Sequence, residues 1–287
     1  MTTTRSSNFA AGFRTTVLLA TLTGLLVVIG ALIGGAQGAF MFLVIAAVMN
    51  MGAFWFSDKI ALRMSGAQPL AEEDAPQIYE MVRELTTRAK MPMPALYVIP
   101  QDQPNAFATG RSPNRSAVAL TAGIVKLLSP QELRGVISHE LAHIDNRDTL
   151  IQSVAATIGG AITYIAYMLM FFGGDSRDNP LGIVGALAMV ILAPLAASLI
   201  QLSISRQREF SADATGAQFA GDPESLASAL LRLEEGAKQI PMQVNQATEC
   251  MYIVKPLSGK GLAGLFSTHP PIEERVERLR QMRPALG

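Results

Sequence analysis

The amino-acid sequence predicts a mainly α membrane protein: four transmembrane helices joined to a cytoplasmic α+β part that contains a small sheet. Three observations predict this class. Charged residues make up 16% of the 287-residue chain, against about a quarter in ordinary soluble domains, and long stretches hold none. The polar segments between those stretches mix helical periodicity with short alternating runs. Basic residues gather on one side of the apolar blocks.

The first apolar block runs from Thr15 to Ser57 without a charge. A helix crossing the hydrocarbon needs about 20 residues, so the block holds two spans. Gly34-Gly35-Ala36-Gln37-Gly38 marks the turn between them. A cleaved signal peptide is the competing reading of the first span, but a second span follows at once. Further charge-free regions run from Thr149 to Gly174 and from Asn179 to Ser205. Both are rich in Gly, Ala and Ser, which allow close helix packing in lipid; the alternative is a buried helical hairpin of a soluble domain. Asp175, Arg177 and Asp178 form the polar turn between them. Arg5, Arg14, Lys59, Arg63, Arg147, Arg206 and Arg208 all fall on one side of such a four-span arrangement, and only Arg177 falls on the other. Both termini and both large polar segments are therefore expected in the cytoplasm. The expected divisions are 1–57 (first hairpin), 58–148 (sheet and HExxH helix), 149–205 (second hairpin) and 206–287 (helical part).

The segment 58–148 opens with a helical pattern around Ala75 to Ala89. Ala95 to Pro100 (ALYVIP), Asn105 to Gly110 (NAFATG) and Ser116 to Gly123 (SAVALTAG) read as strands. A short helix follows from Ile124 to Leu128. Ser129-Pro130-Gln131-Glu132 is a helix start, with a capping serine, proline at the first position and glutamate completing a capping box. The last segment reads as helical, apart from a loop-rich stretch from Ile240 to Thr268. With 23 basic and 23 acidic side chains and no basic tract interleaved with aromatics, nucleic acid is not an expected partner. The single cysteine, Cys250, has no partner for an internal disulfide.

The helix that starts at Ser129 runs through His139-Glu140-Leu141-Ala142-His143. Residues four apart share a helical face, so both imidazoles reach one ion. Zinc accepts imidazole nitrogen and, with three protein ligands, keeps a position open for water. Glu140 stands beside that position as a general base. The ordinary alternative is a solvated helix face with incidental histidines. Asn146 and Thr149 occupy the places where a metzincin needs glycine and a third histidine, which excludes that class. The third ligand is instead expected beyond the second apolar hairpin, in SRQREFSADATGA. There Glu209 can bind the ion, and Asp213, one turn on, can hold the far nitrogen of an imidazole, that of His139. A surface charge pair of Glu209 with Arg206 or Arg208 is the plain alternative.

HELAHIDNRD, the hydrophobic pair, REFSADATGA and FSTHPPIEERVERLR, in this order, resemble the HtpX family of membrane-bound zinc metalloproteases, relatives of the CAAX prenyl endopeptidases. NAFATG also matches the family pattern. The resemblance implies a multi-pass protein of the cell inner membrane with a zincin-like catalytic domain and one zinc per chain. It implies gluzincin-type hydrolysis of membrane-protein substrates in the bilayer, in quality control and stress response. It places His139, His143 and Glu209 on the metal, Glu140 as base and Asp213 as supporting carboxylate. It also implies that Asn105, Ala106, Phe107 and Ala108 form a strand beside the cleft able to pair with an extended substrate; a plain strand of the sheet is the ordinary alternative.

His269 and Arg275 are candidates to face the substrate or its oxyanion; a helix-entry role is the ordinary reading of His269. Rival functions are an intramembrane protease of the site-2 type, a CAAX-type prenyl-protein peptidase and a non-catalytic scaffold or holdase. Glu132, Arg134, Asp145 and Arg147 around the HExxH stretch argue for a water-accessible site and against the first.

Overall fold

The computed structural model describes residues 3–158, 206–239, 251–254 and 270–282. Most of the expected second hairpin, together with His269, lies outside the described residues.

Helix α1 spans Thr3–Met64 and is broken at Gly34 and Gly35. Gly35 has φ 58, a conformation that suits a residue without a Cβ. The break falls at the start of the expected turn. It separates a short apolar helix, Leu19–Val28, from Gly34–Met64, which is long and apolar enough to cross a membrane at mean hydropathy 2.0. Asn50 Nδ2 donates to Leu19 O at 3.3 Å and to Thr23 Oγ1 at 2.8 Å, so the two arms lie side by side. The described residues thus contain one candidate span of full length, where the sequence reading expected four spans over the whole chain. The helix also continues past the expected boundary at Ser57. Its last turns bury Ala61 and Leu62 against the sheet, which fixes the apolar helix to the polar part.

The sheet has four strands: β1 (Gln68–Pro69), β2 (Ala95–Ile99), β3 (Ala106–Ser112) and β4 (Arg115–Thr121), in the order β1-β2-β4-β3. β2 and β4 are parallel, β3 and β4 form an antiparallel hairpin, and β3 is an edge. The two-residue β1 was not expected; it carries no alternation long enough to read. Successive side chains leave a strand on opposite faces. Ala106, Ala108, Val118 and Leu120 join the core under the HExxH helix. Phe107, Ala117 and Ala119 pack with Ala61, Leu62, Met251 and Tyr252 on the other face. Both faces are covered, so β4 is buried through Ala117–Thr121.

Helix α2 (Pro76–Ala89) and the short α3 (Ala122–Leu127) flank the sheet. α3 starts two residues earlier than the sequence reading placed it, because the Thr121 hydroxyl caps it by accepting from Ile124 N–H at 3.1 Å. Helix α4 (Pro130–Asp145) has the expected capping box: Ser129 Oγ accepts from Glu132 N–H, and the Glu132 carboxylate accepts from Ser129 N–H at 2.9 Å. Ser228 and Arg232 of a later helix also donate to that carboxylate, at 2.7 and 2.8 Å, which satisfies it in its buried place. Residues 148–158 form a further helical stretch. Helices α5 (Arg206–Ala220), α6 (Pro223–Gln239) and α7 (Ile272–Gln281) complete the described structure.

Two glycines set how closely α4 is approached. A Cβ at Gly135 would stand 2.6 Å from Leu226 N, and one at Gly216 would stand 2.9 Å from His139 N and Cα. Only hydrogen at these positions lets α6 and α5 lie against the backbone of α4.

Candidate metal centre

α4 turns His139, Glu140 and His143 inward, at 1%, 2% and 5% exposure, a burial that three polar side chains tolerate only if they are paired. His139 Nε2 and His143 Nε2 converge to 3.1 Å, with the rings nearly perpendicular at 85°. α5 brings Glu209 to the same point: Oε2 is 3.7 Å from His139 Nε2 and Oε1 is 3.6 Å from His143 Nε2. The three donor atoms lie within 4.8 Å of one another. A tetrahedral ion with bonds of roughly 2.0–2.1 Å needs ligand atoms roughly 3.3 Å apart, so this donor set fits one ion. Two imidazoles and a carboxylate are also the set that zinc accepts when one position stays open. His139, His143 and Glu209 form the one such cluster among the described residues.

The far side of each ring is held by a carboxylate. His139 Nδ1 lies 2.9 Å from Asp213 Oδ1, the pairing read from the sequence. His143 Nδ1 lies 3.2 Å from Asp148 Oδ2, a pairing the sequence reading missed. Asp213 is in turn gripped by Arg275: Nε donates to Oδ2 at 2.9 Å and Nη2 to Oδ1 at 2.7 Å. Arg275, a candidate to face substrate, is fully buried with two of its nitrogens on Asp213, and its Nη2 also lies 3.4 Å from His139 Nε2. Its Nη1 reaches Ile253 O at 3.4 Å and lies 4.0 Å from Glu209 Oε2. The physical reason is the fork shape of guanidinium, which matches a carboxylate with two parallel hydrogen bonds.

The electrostatics follow from burial and these pairs. Burial, reinforced by the neighbouring His143 charge, lowers His139 to about 4 despite Asp213. Burial also works against charge on His143, but Glu209 and then Asp148 outweigh it and raise the ring to about 9. Burial raises Glu140 to about 7, helped by Glu209 and opposed by His143 and by the Ala108 N–H that donates to it. A carboxyl group near neutrality can both take and return a proton. Desolvation acts to raise Asp213, but Arg275 and His139 prevail and hold it low.

Asn105, Ala106, Phe107 and Ala108 run along the edge beside this centre, all at 2% exposure or less. That edge is partly taken by the chain itself. Ile253 N–H donates to Ala106 O at 3.1 Å. Asn105 Nδ2 donates to Val254 O at 2.7 Å, and Val254 N–H donates to Asn105 Oδ1 at 3.3 Å. Tyr252 stacks edge-on against Phe107 at 5.2 Å. Residues 251–254 gave no signal in sequence, since their hydrogen bonds span nearly 150 positions.

A buried pair of imidazoles four apart on one helix, a carboxylate from another helix and an acid beside them define a metalloprotease centre. The description "Peptidase family M48" matches residues 72–283. The chain is 54% identical over 278 residues to "Protease HtpX homolog" of Syntrophobacter fumaroxidans, covering 94% of this chain and 99% of that protein. It is 52% identical over 273 residues to the protein of that name in Burkholderia thailandensis, covering 94% and 96%. The crystal structure of S. mikatae Ste24p shares the fold at TM-score 0.52 and 18% identity, over 97% of this chain and 67% of that one. The chain belongs to peptidase family M48 and, within it, to the HtpX-family metalloproteases.

Proposed function

We propose that this metalloprotease is a zinc endopeptidase of the cell inner membrane that cleaves misfolded or damaged membrane proteins at the cytoplasmic face. The observation that carries the reading is where the centre sits in the chain. Residue 148, which touches His143, directly precedes an apolar run, and Glu209 follows the end of another by four residues. The end of α1 packs on the far face of the same sheet. The centre is thereby joined along the chain to three apolar segments, which favours a place close to a bilayer surface, and the flanking basic residues favour the cytoplasmic side.

His139, His143 and Glu209 hold the ion, which when bound supplies Lewis acidity toward a carbonyl and acidifies water. Glu140 accepts a proton from the attacking water and delivers it to the departing amine nitrogen, so no covalent intermediate with the chain is needed. Asp213, fixed by Arg275, keeps the His139 ring oriented with Nε2 toward the ion. An extended substrate segment pairs with β3 past Ala106, whose carbonyl Ile253 already takes, near Ala108 where the Glu140 carboxylate meets the strand, in the manner of strand addition.

The test uses purified chain in proteoliposomes with zinc, a membrane protein carrying an unfolded loop, and the same loop as a soluble peptide. Faster cleavage of the membrane-borne loop is expected. Cleavage confined to the free peptide would overturn the placement, though not the peptidase chemistry.

A further inference from the structure

We propose that Asp148 is a positioning residue of the metal centre: it orients the His143 ring from behind and couples it to the segment that delivers Glu209. The inference rests on the metal reading above and concerns a residue outside both the HExxH stretch and the REFSAD stretch.

Asp148 is 4% exposed, with Oδ2 at 3.2 Å from His143 Nδ1 and Oδ1 at 3.7 Å from Arg208 Nε. Arg208 immediately precedes Glu209. The backbone reaches this arrangement at a cost. On an unbroken helix, position 148 would lie roughly 140° around the axis from position 143, facing elsewhere. Instead α4 ends at Asp145, and Arg147 adopts φ 60, the left-handed region that costs a residue with a Cβ about 1–2 kcal/mol. That turn returns Asp148 to the ring. The next residue secures the same turn independently, as Thr149 Oγ1 donates to Gly110 O at 2.9 Å. The turn therefore does not need a buried carboxylate to hold its shape, and a buried carboxylate is costly unless paired.

With Asp148 in place, the two rings are treated alike: each has Nε2 at the shared point and Nδ1 on a carboxylate. A carboxylate there favours the tautomer with hydrogen on Nδ1 and the free lone pair on Nε2. Asp213 does this for His139 from the third-ligand helix, and Asp148 does it for His143 from the other end of the apolar stretch.

The test uses the full-length chain in detergent, stripped of metal, as wild type, D148N, D148A and T149V. Zinc affinity is read by competition with a chromophoric chelator, ligand geometry by the visible spectrum of the cobalt(II) form, and fold by thermal unfolding without metal. Zinc binding is expected to weaken about tenfold in D148N and toward a hundredfold in D148A, with an altered cobalt spectrum. T149V, which loosens the same turn, should lower the unfolding temperature and leave zinc affinity within about twofold. Equal affinity in wild type and D148N, or a loss in T149V as large as in D148A, would overturn the inference. If D148A fails to fold, D148N decides. A wild-type chain that takes up no zinc would instead overturn the metal reading itself.

Discussion

A single methyl group at position 216 should separate the helices that make the centre. The Cβ of an alanine there would stand 2.9 Å from His139 N and Cα and 3.0 Å from the Ser138 carbonyl carbon, where ordinary contact begins at 3.4 Å. Backbone atoms of a packed helix cannot swing aside, so α5 must retreat from α4 by roughly 0.5 Å. Glu209 and Asp213 ride on α5, seven and three residues before Gly216 on the same face, and retreat with it. Overpacking of this kind costs about 1–3 kcal/mol. Helix propensity works the other way, favouring alanine over glycine by about 1 kcal/mol, so the sign of the net effect is diagnostic. G216A should unfold at lower temperature than wild type, and the loosened Asp213–His139 contact should weaken zinc binding about 10–100-fold. Thermal unfolding and a chelator-competition titration measure the two effects. A variant that is more stable than wild type and binds zinc equally well would refute the close approach of α5 to His139.

Other consequences follow from the same geometry. R275M leaves the buried Asp213 carboxylate without its fork and should destabilise the protein by about 3–5 kcal/mol, read by denaturant unfolding; D213L/R275M, which removes both charges, should recover much of that loss. In the metal-free protein His143 is raised to about 9, so at pH 7.5 it carries a proton that an incoming ion displaces. Calorimetry in two buffers of different ionisation enthalpy should show about one proton released per zinc at that pH. The sign for stability runs the same way: the His143 contribution is fully present below about 6.5 and is lost as pH rises through about 9, so metal-free protein should become easier to unfold over that window. S129A removes the cap of α4 and should cost about 0.5–2 kcal/mol by thermal unfolding, with zinc affinity nearly unchanged.

The parts of the centre legible in sequence were those that repeat at helical spacing. His139 with His143, and Glu209 with Asp213, each lie four apart and share a face, and the Ser129–Glu132 box marks where the first helix starts. Gly216 was legible by the same logic, three residues beyond Asp213, but a missing side chain draws no attention beside charged ones. Asp148 was hidden for the opposite reason. Its place depends on a left-handed Arg147, which no local rule favours, since arginine rarely adopts that conformation. The partner of Arg275 was invisible because the sequence places the arginine near the cleft without saying what it grips there, and only the fold brings Asp213, 62 positions away, to it. The three longer strands were legible as short runs, with alternation only in Ser116 to Gly123, but the covering of the β3 edge by residues 251–254 depends on contacts between distant segments.

Metal content and cleavage measured together on E140Q test the central claim most directly. If His139, His143 and Glu209 hold the ion and Glu140 moves the proton, the variant retains about one zinc per chain while cleavage falls by about 10²–10⁴-fold. Cleavage at the wild-type rate with zinc bound would contradict the account.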